Sequence, residues 1–216
     1  HGGPSQGKIL DDGLLSLKND CKYFDIIHID PWLYTSNLEE GFKITKDLIN
    51  YCYELNPNIY YEISTEQSIK KLDVNELEKL IQYLKIELND KIYNKIVFLV
   101  IQIGTALKNG ENIGDFEKNK LENMIKLKEK YNFLAKEHNG DWVNDNEIKY
   151  KFANGLNALN IAPEVGTFET KIYLENIKKN NDDELFNYFY ELCLKSGKWK
   201  KWVSDNFIPE NNKEKL

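Results

Sequence analysis

Short apolar runs alternate with longer amphipathic stretches along almost the whole chain. Five runs, Phe24–Ile29, Ile59–Ile63, Ile96–Ile103, Phe133–Lys136 and Leu156–Ile161, have the length and β-branched or aromatic content of strands. The third is a nearly continuous apolar segment, suited to a parallel strand covered on both faces. Between the strands the apolar period lengthens toward 3.6. Phe42, Ile44, Leu48, Ile49 and Cys52 mark a helix over Leu38–Leu55, and Leu14, Leu15 and Leu17 mark one over Asp11–Cys21. Asp73, with Glu76 three residues on, predicts a capped helix reaching about Leu88. Asp115 is the expected cap of a helix running to Tyr131. Further helices are expected over Asn144–Phe152, Thr167–Lys178 and Asp182–Leu194.

Strand–helix alternation without internal repeats or linkers predicts an α/β protein. The expected architecture is a (β/α)8 TIM barrel, incomplete because N-terminal βα units lie upstream of His1. A doubly wound sheet gives the same alternation, but no Gly-rich dinucleotide fingerprint accompanies it. The barrel domain is expected over 1–195, followed by a Lys- and Asn-rich C-terminal tail, 196–216. Trp199 and Trp202 stand three apart in that tail, and the stretch around them is expected to be an amphipathic helix packing on the barrel.

Composition narrows the setting. The 216 residues suffice for one medium domain, and no apolar run approaches the length of a membrane-spanning helix. Cys21, Cys52 and Cys193 are odd in number and scattered, which predicts buried or half-buried thiols in a reducing compartment, hence the cytoplasm. A net charge of −6 argues against nucleic acid or anionic membrane as a partner. All 29 basic residues are lysine. A phosphorylated substrate would therefore be held by ammonium groups and backbone N–H groups, with no guanidinium forks.

Chemistry-bearing residues gather where the strands end. His1-Gly2-Gly3-Pro4 follows the expected upstream strand, and His28 and Asp30 share one side of the next. Glu62, Ser64 and Glu66 share a face if their strand runs that far. Two carboxylates there can supply a metal ligand and a general base. Gln102-Ile103-Gly104-Thr105 suits close backbone approach to a phosphate or sugar oxygen. Lys136-Glu137-His138-Asn139-Gly140-Asp141-Trp142 is the densest polar cluster in the chain. Asn160 ends the last strand, ahead of a helix N-terminus near Gly166 and Thr167. A metal held by His1, Glu66 and His138, two imidazoles and a carboxylate, would be a chemically sensible catalytic site. His28 reads as a substrate-facing or structural residue.

These strand ends, taken in order, resemble the tagatose-bisphosphate aldolase accessory-subunit family, within the class II (metal-dependent) ketose-bisphosphate aldolase superfamily. His1-Gly2-Gly3-Pro4, Ile27-His28-Ile29-Asp30, Ser64-Thr65-Glu66 and Lys136-Glu137-His138-Asn139-Gly140-Asp141-Trp142 carry the likeness to the accessory subunits. Ile103-Gly104-Thr105-Ala106 and Leu159-Asn160-Ile161 are similar to segments of the catalytic aldolases. The resemblance implies metal ligation by His1, Glu66 and His138, with a divalent cation, Zn²⁺ foremost. It also implies substrate contact by Asn160 and the Gly104-Thr105 turn. Leu107 stands where catalytic aldolases place another metal-binding histidine.

The expected function is aldol cleavage or condensation of a phosphorylated sugar. Asp30, Glu62 and Asn160 are the candidate catalytic residues, and His28, Gly104, Thr105, Lys136, Asn139 and Asp141 the candidate substrate contacts. Phosphate is expected on Lys8, Lys108 or Lys136. The alternatives are a non-catalytic barrel subunit partnering a catalytic aldolase, and a sugar-phosphate isomerase or polysaccharide-pathway enzyme on the same barrel. A homo-oligomer is the other partner expectation.

Overall fold

The computed structural model of the chain describes residues 10–63, 73–108, 111–202 and 207–211. Strands and helices alternate through them. α1 (Leu10–Asp20) leads to β1 (Ile26–Ile29) and a short 3₁₀ turn at Pro31–Leu33. α2 (Leu38–Leu55), β2 (Tyr60–Ile63), α3 (Val74–Glu87), the single-turn α4 (Asp90–Tyr93) and β3 (Ile96–Val100) follow. A small hairpin, β4 (Leu107–Lys108) and β5 (Glu111–Asn112), precedes α5 (Lys118–Lys130) and β6 (Leu134–Glu137). Then come α6 (Asp145–Ala153), β7 (Ala158–Leu159), α7 (Pro163–Lys179), α8 (Asp183–Ser196) and 3₁₀ turns at Lys198–Trp202 and Pro209–Asn211.

β1, β2, β3, β6 and β7 form one parallel sheet in that order, so spatial order follows chain order without reversal. A doubly wound sheet has a switch point where the order reverses, and none occurs among the described residues. Parallel crossovers are nearly always right-handed, so sequential strands send their helices to the same side. The burial pattern agrees. Ile27, Ile29, Tyr61, Ile63, Leu99 and Ala135 are fully buried and share a core with Leu48, Ile49 and Cys52 of α2, Leu77, Leu80, Ile81 and Leu84 of α3, and Leu121 and Met124 of α5. Alternation along each strand turns His28, Glu62, Phe98 and Lys136 to the opposite face.

All five expected strands and the seven expected helices are present, with their boundaries corrected in informative places. The Asp73–Glu76 capping box forms as its spacing predicts. The helix after β3 is different. Asp115 does not cap it; the N-cap is Glu117, which makes no side-chain capping bond. Glu117 N–H instead donates to Ile103 O at 3.1 Å, drawing the preceding segment across the end of β3. Gly104, at φ +126°, accepts that segment, where a Cβ would lie 2.0 Å from Asp115 O. The β4–β5 hairpin was not visible in the sequence, because two-residue strands carry no readable period. α7 starts at Pro163, four residues before the expected Thr167, since proline at a first helical position needs no N–H partner.

Cys21 and Cys52 are buried and Cys193 is half-buried, all as free thiols. Cys21 sits in the turn just after α1. Burial pushes the Cys21 and Cys52 thiols up; the hydrogen bond between them opposes the shift at Cys21 and adds to it at Cys52, so both stay protonated. Among the described residues no helix is long and apolar enough to cross a membrane.

Glu137 alternates with Lys136 and so enters the helical layer, where it is 1% exposed. Lys151 of α6, fully buried, places Nζ 2.8 Å from Glu137 Oε2 and 2.7 Å from Glu147 Oε1, four residues back on its own helix. Burial raises the Glu137 carboxyl and Lys151 opposes it. Removing one partner of such a pair strands the other charge, which costs about 3–5 kcal/mol, whereas an apolar replacement of both is far milder. Urea denaturation of Lys151→Ala is expected to show a loss of that size. The double change Lys151→Met with Glu137→Leu is expected to recover most of it; equal losses in the two proteins would refute this account of α6 docking.

Candidate metal and acid–base site

Pairing register builds the site. β1 and β2 run parallel with His28 beside Glu62, and β3 pairs with β6 so that Val100 lies beside Lys136. Lys136 reaches back over β3, passing Phe98 with Nζ 5.8 Å from the ring centre, to reach Glu62. His138, two residues after Lys136, falls on the same side just beyond the strand end.

Three side chains thereby converge on one fully buried carboxylate, that of Glu62. Glu62 Oε1 lies 2.8 Å from His28 Nδ1 and 3.2 Å from His138 Nε2; Oε2 lies 2.6 Å from Lys136 Nζ. The two imidazoles are neighbours, their centroids 4.9 Å apart. His28 and His138 side chains remain 13% and 17% exposed, so the cluster is reached from the strand-end rim. Burial alone would raise the Glu62 carboxyl, but hydrogen bonds from His138, His28 and Lys136 overcome it and hold the group well below the usual carboxylate range. Burial lowers His28 below its ordinary value of 6.5 despite the attraction of Glu62. An anionic Glu62 beside a neutral His28 is the resting state near neutrality.

His28, Glu62 and His138 offer two imidazole nitrogens and a carboxylate oxygen, all within 4.8 Å of one another. That donor set suits a divalent transition metal with an open coordination position. Of the ligands expected from the sequence, only His138 is among the described residues; His1 and Glu66 lie outside them, as do Lys8 and the side chain of Lys108. The structure brings in His28 and Glu62, which the sequence had as a substrate-facing residue and a proton carrier. The cue was present in the sequence: His28 and Glu62 occupy equivalent places near the ends of consecutive strands. Only the register shows that they touch.

The other expected residues sit on the same rim. Asp30 is buried, and its Oδ1 accepts from Trp32 N–H at 3.1 Å. Thr105 Oγ1 donates to His138 O at 2.8 Å. The Asn160 backbone joins the two polar strand ends, its N–H donating to Glu137 O and its carbonyl accepting from Gly140 N–H, both at 2.9 Å. Asp141 Oδ1 accepts from Ala162 N–H at 2.9 Å and Glu164 N–H at 2.8 Å. The first turn of α7, expected to offer free N–H groups near Gly166, is thus already bound to an anion of the chain itself. A cavity of about 430 Å³ lies between α7 and α8, lined by Tyr173, Ile177, Leu185 and Phe189 among others. It is mainly apolar and shares no residue with the cluster.

No family model matches the sequence, and no curated protein does. Solved structures do. A probable tagatose 6 phosphate kinase from Sinorhizobium meliloti 1021 aligns with TM-score 0.74 at 14% identity, over 99% of this chain and 61% of that one. The YdjI aldolase of Escherichia coli K12 aligns with TM-score 0.54 at 14% identity, over 78% of this chain and 54% of the aldolase. The fructose-bisphosphate aldolase of Campylobacter jejuni aligns with TM-score 0.54 at 16% identity, over 80% and 51%. The likeness is one of fold. The chain spans between half and two thirds of the length of these structures.

The cluster makes stability pH-dependent in a defined direction. Both shifted groups bind protons more weakly when folded, so the unfolded chain takes up more protons as pH falls. Stability is complete above His28's ordinary value of 6.5 and starts to decline below it. A steeper loss is expected below 4.5, where Glu62 titrates in the unfolded chain. Glu62→Gln should flatten that acid limb and lower stability at neutral pH, because Lys136 loses its counter-charge. Thermal unfolding from about pH 2 to 8 checks this, and an unchanged acid limb in the variant would contradict it.

Proposed function

We propose that the chain carries the active site of an aldolase-type lyase acting on a phosphorylated sugar. Its five parallel strands are read as consecutive staves of a (β/α)8 barrel within 1–195, with 196–216 as a tail. The observation that carries the reading is the meeting of His28, Glu62 and His138 near the C-terminal ends of three parallel strands, facing away from the helices. The fold likeness to two aldolases supports it.

His28, Glu62 and His138 would hold a divalent cation, Zn²⁺ being the one best suited to the donor set. Such an ion, when bound, supplies Lewis-acid polarisation of a carbonyl or enediolate oxygen. The residues of the chain do the rest. Lys136 engages Oε2 of Glu62, which leaves Oε1, already shared by the imidazoles, as the ligand oxygen. A carboxyl held so far below its usual range is a weak base, so Asp30 takes the proton-moving role. The Gly104-Thr105 turn, Asn139 and Asn160 provide substrate contacts on the same rim. Lys136 is committed to Glu62, and Asp141 to α7. Phosphate is therefore left to other lysines, Lys8 and Lys108 being the candidates the sequence offers.

A second reading, a non-catalytic barrel subunit partnering a catalytic aldolase, has its own support. Lys136 balances the Glu62 charge and both imidazoles are hydrogen-bonded to it, so the cluster is complete without a cation.

The full-length protein, purified alone, is expected to bind Zn²⁺ or Co²⁺ in calorimetry and to cleave a ketose bisphosphate. His28→Ala and His138→Ala should each abolish both. Cation binding without turnover, with turnover appearing only on addition of an aldolase partner, would select the second reading. Wild-type protein that binds no cation would overturn the metal assignment.

A further inference from the structure

The rim turn that follows β6 holds two of the non-glycine residues with positive φ among the described residues. Asn139 and Trp142 both adopt the left-handed region, φ +58° and +55°, although neither is glycine. Each such residue is held in a sparsely populated conformation and persists only where its surroundings over-determine it. Glu164 Oε2 holds the Trp142 N–H at 2.7 Å and Asn160 O holds that of Gly140, and the remaining grip comes from the β3–α5 connection. Thr105 Oγ1 donates to His138 O, and Asn112 Nδ2 donates to Asn139 O at 3.0 Å and to Asp141 O at 2.9 Å. Asn112 Oδ1 meanwhile accepts from Ala106 N–H and Gly114 N–H, both at 3.2 Å. Its amide has two N–H donors and an oxygen with two lone pairs, and all four positions are used.

Asn112 therefore joins two loops that share no strand pairing of their own: the one folded over the end of β3, and the one that carries His138. Backbone groups at residues 138, 139 and 141 are the ones gripped, so the grip falls on the turn that aims the imidazole. We propose that Asn112 is a positioning residue, which holds the 138–142 turn in its left-handed form and so sets His138 Nε2 against Glu62 Oε1. The proposal deepens the metal-site reading and rests on it for its functional meaning; the geometry of His138 can be read without any cation. Metal-ligating histidines depend on such supporting contacts, whose removal weakens affinity by about 10–100-fold.

Asn112→Asp separates the two halves of the clamp. It preserves shape and both acceptor contacts within the hairpin, but removes both N–H donors and sets a carboxylate against two carbonyl oxygens. In the metal-free full chain, ¹⁵N spectra of the histidines should show His138 losing its hydrogen-bonded signature while His28 keeps its own. Co²⁺ affinity should fall by about 10–100-fold. Unchanged His138 resonances overturn the proposal, and so does an equal disturbance of His28, which would mean general loosening. Wild-type protein that binds no Co²⁺ defeats the metal reading, and the histidine spectra then decide the positioning role alone. If Asn112→Asp fails to fold, Thr105→Val, which removes the neighbouring donor to His138 O at constant shape, is read in the same way.

Discussion

Everything on the open face of this sheet is arranged around one buried carboxylate. Glu62 is taken wholly out of water, a loss that an isolated ion cannot bear, and it is tolerated because three donors from two other strand segments close on it. Each donor arrives through a different structural device: direct register for His28, a reach across β3 for Lys136, a tethered rim turn for His138. The carboxylate stays ionised, and the imidazoles it gathers become a ready donor set. The features that make Glu62 tolerable without a cation are thus the ones that suit the cluster to receiving one. Lys136 and a metal ion would share the charge of the same group.

The rim around this cluster spends its anion-binding capacity on the chain itself. Asp141 occupies the first turn of α7, and Glu164 Oε2 accepts from Trp142 N–H at 2.7 Å. Helix N-termini often receive phosphate, but here the position is filled by a residue that also pins the His138 turn. Loop order has been placed ahead of an available anion site. In a chain whose side-chain cations are all lysine, a phosphate ligand would then meet flexible ammonium groups.

Much of the fold was legible in the sequence because strand and helix periods are local properties. The β-branched run at Ile96–Ile103, the Asp73–Glu76 box and the Phe42–Cys52 stripe each need only their own neighbours to be read. What escaped depends on distant partners. The true start of α7 is set by Asp141, twenty-odd residues earlier, and the cap of α5 by a backbone bond to Ile103. The site was half legible for the same reason. His138 and Glu62 were identifiable as chemistry at strand ends, but only register makes His28 a partner of Glu62. His1 and Glu66 were chosen by ordered likeness and fall outside the described residues. Asn112 was invisible, since an asparagine in a two-residue strand has no pattern to betray it.

Strand β6 shows how firmly these choices are locked together. Consecutive residues Lys136 and Glu137 point to opposite faces, one to Glu62 and the other to Lys151. A slip of one residue would exchange them. Glu137 would then meet Glu62 in one dry environment, and Lys136 would meet Lys151 in another. Two like-charged buried pairs would replace two opposite ones, with His138 turned into the helical layer. Apolar alternation in so short a strand specifies its register only weakly, because Leu134 is exposed and Ala135 is small. The paired charges therefore do what hydrophobic patterning cannot. Their cost in desolvation is matched by the exclusion of the neighbouring register, and the same choice of register delivers His138 to the site.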